Sequence, residues 1–391
     1  MNENNFKLIA KTLYGLENEL YNELISLGAR NPRIGNRFVS FYGDKGFMYK
    51  CNLCLRTAIK ILKPIFNFSF DSQNDFYLKM KSFEWNLLLK KNQTFRVQSI
   101  VNTNIFSNSL FVNQRTKDAV VDFINENQGY RPNIDKKQPD ITLNVHIQNK
   151  KCNVSLDTSG ESLHKRGYKL SSSNAPISEV LAAGILLKSN WNGESNFLDP
   201  FCGSGTILIE AAMIASNFPP NFYRKEFAFE RWKDWDNELF ELIKKSLIKK
   251  VKKINFKMTG FDKSPIAIGK VKENLKFFDF KKLIKVSEKN FFNSKKNDSE
   301  KLFIVTNPPY GERLTVDESA FYSSIGSYLK HNYSNSNFWM FTSSKVGIKN
   351  IGFKSSKKIK LKNGKIETYL LCYEIYKGSK KNYFLNLKGN E

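Results

Sequence analysis

The sequence predicts an α/β protein in which an α+β amino-terminal platform precedes a doubly wound, Rossmann-like carboxy-terminal domain. Three observations support this prediction. Apolar strand-like segments alternate with amphipathic helical segments along the chain. One such strand runs into the glycine-rich turn and apolar helix DPFCGSGTILIEAA at 199–212. Another, LFIVT at 302–306, runs into Asn307-Pro308-Pro309-Tyr310.

The charge of the chain points to a polyanionic partner. Its 391 residues include 62 Lys and Arg against 37 Asp and Glu, which gives a formal net charge of +25. A protein this basic usually binds nucleic acid, and we expect RNA or DNA as the partner. Compositional drift in an AT-rich genome is the alternative explanation. The length predicts about two or three domains.

Composition also excludes several classes of protein. No apolar run approaches the roughly 20 residues that span a bilayer, and the polar segment 1–7 does not read as a signal peptide. The five cysteines are scattered, and the pair Cys51 and Cys54 has neither a second CxxC nor a histidine cluster beside it. We therefore expect a monomeric, cytoplasmic protein with no membrane partner and no metal.

The amino-terminal elements predict an α+β platform. In the first helix, Leu16, Leu20 and Leu24 recur at four-residue spacing and share one face, and Gly28 follows in the position of a C-cap. The predicted elements are a strand at 6–10, a helix at 15–27, strands at 38–42 and 94–101, a helix at about 107–125, and a hairpin of strands 141–145 and 152–156.

The carboxy-terminal elements predict a mostly parallel sheet that ends in an antiparallel hairpin. The hairpin turns at Asn363-Gly364, a dipeptide typical of a type I′ turn. The predicted helices cover 178–187, 206–215, 265–277 and about 321–328. The predicted strands cover 196–198, 257–261, 284–286, 302–306 and 338–342.

The glycine turn has the features of a cofactor site. Gly203 and Gly205 let the backbone turn tightly against a ligand, and the helix that starts at Thr206 offers backbone N–H groups to a carboxylate. Asp199 could accept a hydrogen bond from an ammonium group. The string around these glycines is far more specific than a lone GxG.

Two further polar residues follow neighbouring strands. Asp262 ends the strand at 257–261, where a carboxylate can bind a ribose diol. Asn290, before Phe291, ends the next strand, where a side-chain amide could read an adenine ring. Asp262 follows Asp199 by 63 residues, much more than a dinucleotide fingerprint has, and this spacing weighs against an NAD enzyme.

The segment Asn307-Pro308-Pro309-Tyr310 suits chemistry on an exocyclic amine. The lone pair of such an amine is delocalised into its ring. Hydrogen bonds from both amine protons, to Asn307 Oδ1 and the Pro308 carbonyl, would favour a pyramidal nitrogen with a usable lone pair. The prolines fix these acceptors beforehand, and Tyr310 offers a face on which a base can stack.

Several basic stretches could contact phosphates. The lysines of 244–257 are predicted to lie in one helical segment, where Lys249 and Lys253 fall on a common face. A solvated helix face is an equally good interpretation. The connector residues His164, Lys165 and Arg166 are the better candidates for contact with a nucleic-acid backbone.

The chain resembles a known family, the THUMP-domain class I RNA methyltransferases. Among them it is most similar to the bacterial enzymes that make N2-methylguanosine in 23S rRNA. The motifs that carry the resemblance are DTSGESLHKRGYK at 157–169, DPFCGSGTILIEAA at 199–212, AFERWKDW at 228–235 and TNPPYGERL at 306–314. The resemblance implies a class I methyltransferase domain, preceded by a ferredoxin-like and THUMP platform that binds RNA. AFERWKDW favours the ribosomal branch over the related tRNA branch.

The resemblance also implies S-adenosylmethionine as the cofactor and large-subunit RNA as the partner. Asn307, Pro308, Pro309 and Tyr310 would be catalytic. Family members usually carry Asp where this chain has Asn290. The residues expected at the cofactor are Asp199, Cys202, Gly203, Ser204, Gly205, Thr206, Asp262, Lys263, Asn290 and Phe291.

The implied domains are a ferredoxin-like domain at 1–65, a THUMP domain at 66–158, a connector at 159–174 and a methyltransferase domain at 175–391. Some relatives carry a second methyltransferase domain, so one modification is expected from this chain. Methylation of guanine N2 in tRNA, methylation of adenine N6 in DNA, and a non-catalytic role in ribosome assembly stay open as alternatives. The platform counts against the DNA alternative, and the intact Asn307 and Asp199 count against the non-catalytic one.

Overall fold

The protein is described from a computed structural model, which covers residues 5–170, 177–297, 302–311, 314 and 316–376. It divides into two compact units. The first unit contains residues 1–12, 20–165 and 224–246, and the second contains 13–19, 166–223 and 247–391. Residues 171–174 of the predicted connector, and 312–313 of the motif TNPPYGERL, lie outside the described residues.

The first unit is built on an eight-stranded sheet with the order β2-β3-β1-β4-β8-β7-β5-β6. Strands β7 and β8 pair antiparallel as a hairpin, whereas β5 pairs parallel with β7. The strands are β1 (Phe6–Thr12), β2 (Arg30–Gly35), β3 (Phe38–Gly43), β4 (Ala58–Ser69), β5 (Thr94–Asn102), β6 (Asn133–Ile134), β7 (Ile141–Gln148) and β8 (Lys151–Asp157).

The second unit is built on a seven-stranded sheet with the order β11-β10-β9-β12-β13-β15-β14. Its first five strands are parallel, and β15 and β14 close the sheet as an antiparallel hairpin. The strands are β9 (Asn196–Asp199), β10 (Met258–Asp262), β11 (Ile284–Glu288), β12 (Leu302–Thr306), β13 (Ser336–Thr342), β14 (Lys357–Asn363) and β15 (Ile366–Ile375).

Several helices begin at a residue whose side chain caps the first turn. Asn108 caps the longest helix and Gly129, with a φ of 71°, ends it. The helices are α1 (Glu17–Leu27), α2 (Lys45–Cys54), α3 (Gln73–Lys81), α4 (Ser109–Gln128), α5 (Glu179–Lys188), α6 (Thr206–Ala215), α7 (Asn237–Ile248), α8 (Pro265–Asn274), α9 (Glu318–Asn332) and α10 (Lys345–Asn350). Short 3-10 turns cover Trp85–Leu87, Ala228–Arg231, Leu275–Phe277, Asp279–Lys282 and Phe291–Asn293.

Each unit has its own apolar core. In the first unit Leu8, Leu20 and Leu24 are fully buried, as the spacing of the leucines in α1 predicts. In the second unit α5 and α6 are buried over most of their length. A second cluster of the same unit joins Ile304 and Met340 of the sheet to Tyr322 of α9.

The strands and helices predicted from the sequence are confirmed, with ends shifted by a few residues. The prediction that the lysines of 244–257 share one helix is wrong, because α7 ends at Ile248. Lys249 lies in the turn that follows that end, and Lys253 lies in a segment without regular secondary structure. Sequence reasoning did not place the helices α2 and α3 or the long strand β4.

The segment 224–246 groups with the first unit, although it lies within the range predicted for the methyltransferase domain. Its first residue, Arg224, donates hydrogen bonds of 2.7–3.2 Å to four backbone carbonyls of the loop 159–165. One guanidinium thereby satisfies four acceptors of a loop that has no regular structure.

Candidate active site

The candidate site lies at the carboxyl ends of four neighbouring parallel strands, β11, β10, β9 and β12. The registers pair Leu198 with Ile304 and Asp262 with Glu288. This pairing brings to one edge of the sheet the ends of strands that are far apart in sequence. The polar residues at or just beyond those ends are Asp199, Asp262, Asn290 and Asn307.

The glycine turn after β9 is shaped by two left-handed residues. Gly203 has a φ of +53°, and a Cβ added there would meet no atom within 4 Å, so the turn has an open side. Gly205, with a φ of +81°, caps α6, and an added Cβ would lie 2.7 Å from Val271 Cγ1. Glycine at the second position is therefore required for close helix packing, while the first leaves room for a ligand.

The two acidic residues of the site differ in exposure. Asp199 is 1% exposed, and its Oδ1 accepts hydrogen bonds from Thr306 Oγ1 at 2.6 Å and Phe201 N at 3.2 Å. Burial raises the pKa of Asp199 to about 7, despite these donors, and the nearby charge of Asp262 adds to the effect. A cation bound beside Asp199 would lower this pKa and favour the ionised carboxylate.

The carboxylate of Asp262 holds the turn in place. Its Oδ2 accepts a hydrogen bond from Gly203 N at 2.9 Å and its Oδ1 accepts one from Ser264 N at 2.9 Å. The residue is half-buried. Each oxygen can accept a second hydrogen bond, so the carboxylate can bind a diol while it anchors the glycine turn.

The remaining predicted cofactor residues contribute in different ways. Asn290 is exposed, and its Oδ1 accepts a hydrogen bond from Phe292 N at 3.1 Å, which caps a short turn. Phe291 is 1% exposed and packs against Phe201 with ring centroids 5.4 Å apart. Lys263 is exposed beside Asp262.

Three predicted residues of the turn have buried side chains. Cys202, Ser204 and Thr206 are between 3% and 6% exposed, and burial raises the pKa of the Cys202 thiol well above its usual value. Their side chains support the turn, and only their backbone groups remain to contact a ligand.

The turn after β12 presents an acceptor that lacks a donor. Asn307 Oδ1 is buried, and it has no hydrogen-bond partner within the described part of the chain. Pro308 is buried and Tyr310 is half-buried. The hydroxyl of Tyr322 donates to the Pro309 carbonyl at 3.4 Å, which ties the turn to α9. A buried acceptor without a donor is costly, and a ligand N–H would satisfy it.

The predicted nucleic-acid residues separate into two groups. Lys165 is exposed and pairs with Glu161 at 2.7 Å, and His164 Nδ1 lies 2.9 Å from Ser162 Oγ. Lys249 and Lys253 are also exposed. All four of these side chains can be reached by an RNA backbone.

The prediction that Arg166 contacts nucleic acid is wrong. Its side chain is fully buried, with Nε 3.4 Å from Glu210 Oε1 and an Nη1 hydrogen bond of 3.2 Å to Asn221 Oδ1. The Tyr168 hydroxyl also donates to Glu210 Oε1, at 3.2 Å. A buried charge is stable only when it is paired, because burial removes its hydration. The guanidinium of Arg166 therefore stays with its interior partners and does not reach an RNA backbone.

Thr306 and a group of aromatic rings near the site were not predicted from the sequence as site residues. Thr306 ends β12 directly before Asn307, and a polar residue at the end of a buried strand is the signal that could have drawn attention to it. The half-buried rings of Phe201 and Phe321 are 5.9 Å apart, and Phe292 is 6.2 Å from Phe321. No spacing in the sequence relates these three rings.

Comparison with known protein families identifies the domains of this chain. Residues 166–371 match the RMKL-like methyltransferase domain. This chain belongs to that methyltransferase family. Residues 71–157 match the THUMP domain, and residues 7–62 match the RlmL ferredoxin-like domain. The resemblance seen in the sequence is therefore confirmed.

Individual relatives agree with the family. The chain is 35% identical over 375 residues to a ribosomal RNA large subunit methyltransferase K/L of Cellvibrio japonicus, a match covering 92% of this chain and 50% of the relative. It is 31% identical over 365 residues to a provisionally named RNA methyltransferase of Synechocystis, covering 93% of this chain and 95% of that protein. The chain thus spans about half the length of the K/L relative.

A solved structure agrees with the fold. A crystal structure of a provisionally named methyltransferase complexed with SAH is 27% identical, with a TM-score of 0.85, and the match covers 96% of this chain and 100% of that one. The α/β fold, with its Rossmann-like methyltransferase domain after a ferredoxin-like and THUMP platform, is confirmed.

The described residues contain no metal-binding cluster, no membrane-spanning helix and no disulfide. Within them, no group of three or more His, Cys, Asp or Glu side chains is placed to hold a metal ion. None of the helices in the described ranges is long and apolar enough to cross a membrane. The five cysteines, all among the described residues, form no disulfide.

Proposed function

We propose that this chain transfers a methyl group from S-adenosylmethionine to the exocyclic N2 amine of a guanosine in 23S rRNA. The observation that carries the proposal is the buried Oδ1 of Asn307, which has no hydrogen-bond partner among the described residues and lies at the same sheet edge as the open glycine turn. The family and the RNA-modifying relatives support the reaction class. The methylation would take place in the cytoplasm, where the ribosomal subunits are assembled.

The residues present fit the cofactor. The open side of Gly203 leaves room for it, and the amide groups at the start of α6 face that turn. Asp199 can accept a hydrogen bond from its ammonium group, and Asp262 can accept from the ribose hydroxyls. When bound, S-adenosylmethionine supplies an activated methyl group on a positively charged sulfur.

The residues of the Asn307 turn would prepare the nucleophile. Asn307 Oδ1 would accept a hydrogen bond from one amine N–H and the Pro308 carbonyl would accept one from the other, which draws the nitrogen towards a pyramidal geometry. Both acceptors are neutral, so they do not gain or lose charge as the methyl group transfers. The hydrogen bond from Tyr322 to the Pro309 carbonyl holds the turn rigid, which favours reaction from a fixed geometry.

The substrate would be held by both units. The ferredoxin-like and THUMP domains would bind the RNA, and His164, Lys165, Lys249 and Lys253 would add contacts to its backbone. Tyr310 and the half-buried rings around Phe321 offer faces on which an extruded base can stack. Asn290 and Lys263 would lie beside the adenosine part of the cofactor.

Nucleoside analysis tests the proposal. Purified protein is incubated with labelled S-adenosylmethionine and, separately, with unmodified 23S rRNA and tRNA transcripts, and the digested RNA is analysed by mass spectrometry. We expect labelled N2-methylguanosine in 23S rRNA alone. Label in tRNA would favour the tRNA alternative, label on adenosine would contradict the amine assignment, and cofactor binding without transfer would indicate a non-catalytic assembly factor.

A further inference from the structure

A basic cleft lies on the second unit at the edge strand of its sheet. The cleft has a volume of about 640 Å³ and is formed by β10, β11, α8 and the turn before β11. β11 is the first strand in the sheet order, so no strand of the described residues pairs with its outer side. Its lining residues are Thr259, Lys272, Leu275, Lys281, Ile284, Lys285, Val286 and Ser287.

The three lysines of the cleft are available to an anion. Lys272, Lys281 and Lys285 are all exposed, and among the residues that the structure describes none of them is in an ion pair. The surrounding segment 263–289 contains eight lysines and three acidic residues. This segment therefore carries a net positive charge, and a bound polyanion would offset the repulsion among its lysines.

The lining is suited to a sugar-phosphate chain. Ile284 and Leu275, at 6% and 4% exposure, contribute apolar carbon to the lining. Thr259 and Ser287 add hydroxyl groups at the strands. A lining that combines lysines, hydroxyls and apolar carbon matches the phosphates, ribose hydroxyls and ribose carbons of an RNA backbone.

The cleft is distinct from the candidate active site, and none of its lining residues is among the predicted cofactor or catalytic residues. Lys285 is the second residue of β11, whereas the active site lies beyond the carboxyl end of that strand at Glu288. At roughly 3.3 Å per residue, Lys285 and Glu288 are about 10 Å apart along the strand. Successive phosphates of one RNA strand can cover that span.

We infer that this cleft binds backbone phosphates of the RNA substrate, outside the nucleotide that is methylated. The inference rests on the proposed function, because it takes RNA to be the substrate. It adds a second surface, on the methyltransferase domain itself, to the binding expected of the platform. A free nucleotide or inorganic phosphate shares the phosphate chemistry, and the test below separates it from RNA.

Neutralising the lysines tests the inference. The full chain carrying Lys272→Gln, Lys281→Gln and Lys285→Gln is compared with wild type and with a matched control, Lys330→Gln, Lys349→Gln and Lys354→Gln. The control lysines are equally exposed and lie on or after α9 and α10. The affinity for a 23S rRNA fragment is measured between 50 and 200 mM salt, beside thermal unfolding and S-adenosylmethionine binding.

We expect the cleft variant to bind RNA about ten-fold or more weakly at low salt, with a slope of log affinity against log salt reduced by about 2, since each lysine contributes about 0.7. The control should lose much less, and cofactor binding should be unchanged in both. Equal behaviour of the two variants, with wild-type RNA binding and methylation intact, would overturn the inference and leave the proposed function standing.

Two other results also overturn it. Failure of the wild type to bind RNA at all would remove both the inference and the proposed function. Protection of the three lysines from chemical modification by free nucleotide or inorganic phosphate, but not by RNA, would assign the cleft to a small phosphate ligand.

Discussion

The hydroxyl of Thr306 donates a 2.6 Å hydrogen bond to Oδ1 of Asp199 across 107 residues of sequence. The bond joins the glycine turn to the strand that ends at Asn307. Both residues are buried, at 0% and 1% exposure. The two motifs of the site therefore share a buried polar contact. A substitution that breaks this contact should alter the hydrogen bonding of both motifs.

Replacing Thr306 tests this contact. Thr306→Val keeps the shape but removes the donor, so the buried carboxyl of Asp199 loses a partner. We expect the free energy of unfolding to fall by about 1–3 kcal/mol. Thr306→Ser keeps the hydroxyl and should lose much less. Denaturation of both variants measures the difference, and a loss in Thr306→Ser that equals or exceeds the loss in Thr306→Val would contradict a dominant role for the hydrogen bond.

The raised pKa of Asp199 predicts a pH dependence. The unfolded residue ionises near pH 4, but the folded one ionises only near pH 7, because burial disfavours the charge. As pH rises from 4 to 7 the unfolded state loses its proton first, so folding loses stability, in total of the order of 4 kcal/mol. The variant Asp199→Asn has no carboxyl group at this position, so it should not show this loss of stability.

The measurement compares the free energy of unfolding of wild type and Asp199→Asn from pH 4 to pH 8. The advantage of the variant should grow up to about pH 7 and then level off. Other titrating groups cancel in the difference. A difference that stays constant with pH contradicts the raised pKa of Asp199.

Arg166 is predicted to matter for folding rather than for RNA. Arg166→Ala leaves the buried carboxylate of Glu210 without its cation, and such losses cost about 3–5 kcal/mol. The adjacent Lys165 is 58% exposed at its side chain and provides the control. Thermal unfolding should drop strongly for Arg166→Ala and hardly for Lys165→Ala; comparable effects would refute the buried pair.

Asp262 is predicted to serve the cofactor. Asp262→Ala removes the acceptor proposed for the ribose and releases Gly203 N, so S-adenosylmethionine should bind more weakly by about 1–3 kcal/mol. The exposed Asp279 offers a control, and Asp279→Ala should bind normally. Calorimetry with purified protein measures both. Wild-type affinity in Asp262→Ala would remove this residue from the site.

Local patterns in the sequence predicted much of the fold and the site. The leucine spacing of α1 and the glycines at 203 and 205 depend on helix geometry and backbone angles, which short segments determine by themselves. The strand ends that carry Asp262 and Asn307 are marked by the residues that stop the strands. Parallel pairing then brings these ends together without further information.

Long-range contacts could not be predicted in the same way. Arg166 has the sequence context of a surface residue within a basic run, but its partners Glu210 and Asn221, 44 and 55 residues later, lie in the interior. The hydrogen bond between Thr306 and Asp199 likewise depends on which strands become neighbours. The grouping of 224–246 with the first unit depends on contacts such as those of Arg224, which no local pattern announces.

The central claim is that Asn307 holds the amine that receives the methyl group. The direct test is single-turnover methylation of a 23S rRNA fragment by Asn307→Ala, with Asn337→Ala, an exposed asparagine of β13, as the matched control. We predict that Asn307→Ala lowers the rate about 10²–10³-fold while S-adenosylmethionine and RNA binding change little. The control should react at the wild-type rate. An undiminished rate in Asn307→Ala would contradict the assignment of this turn as the active site.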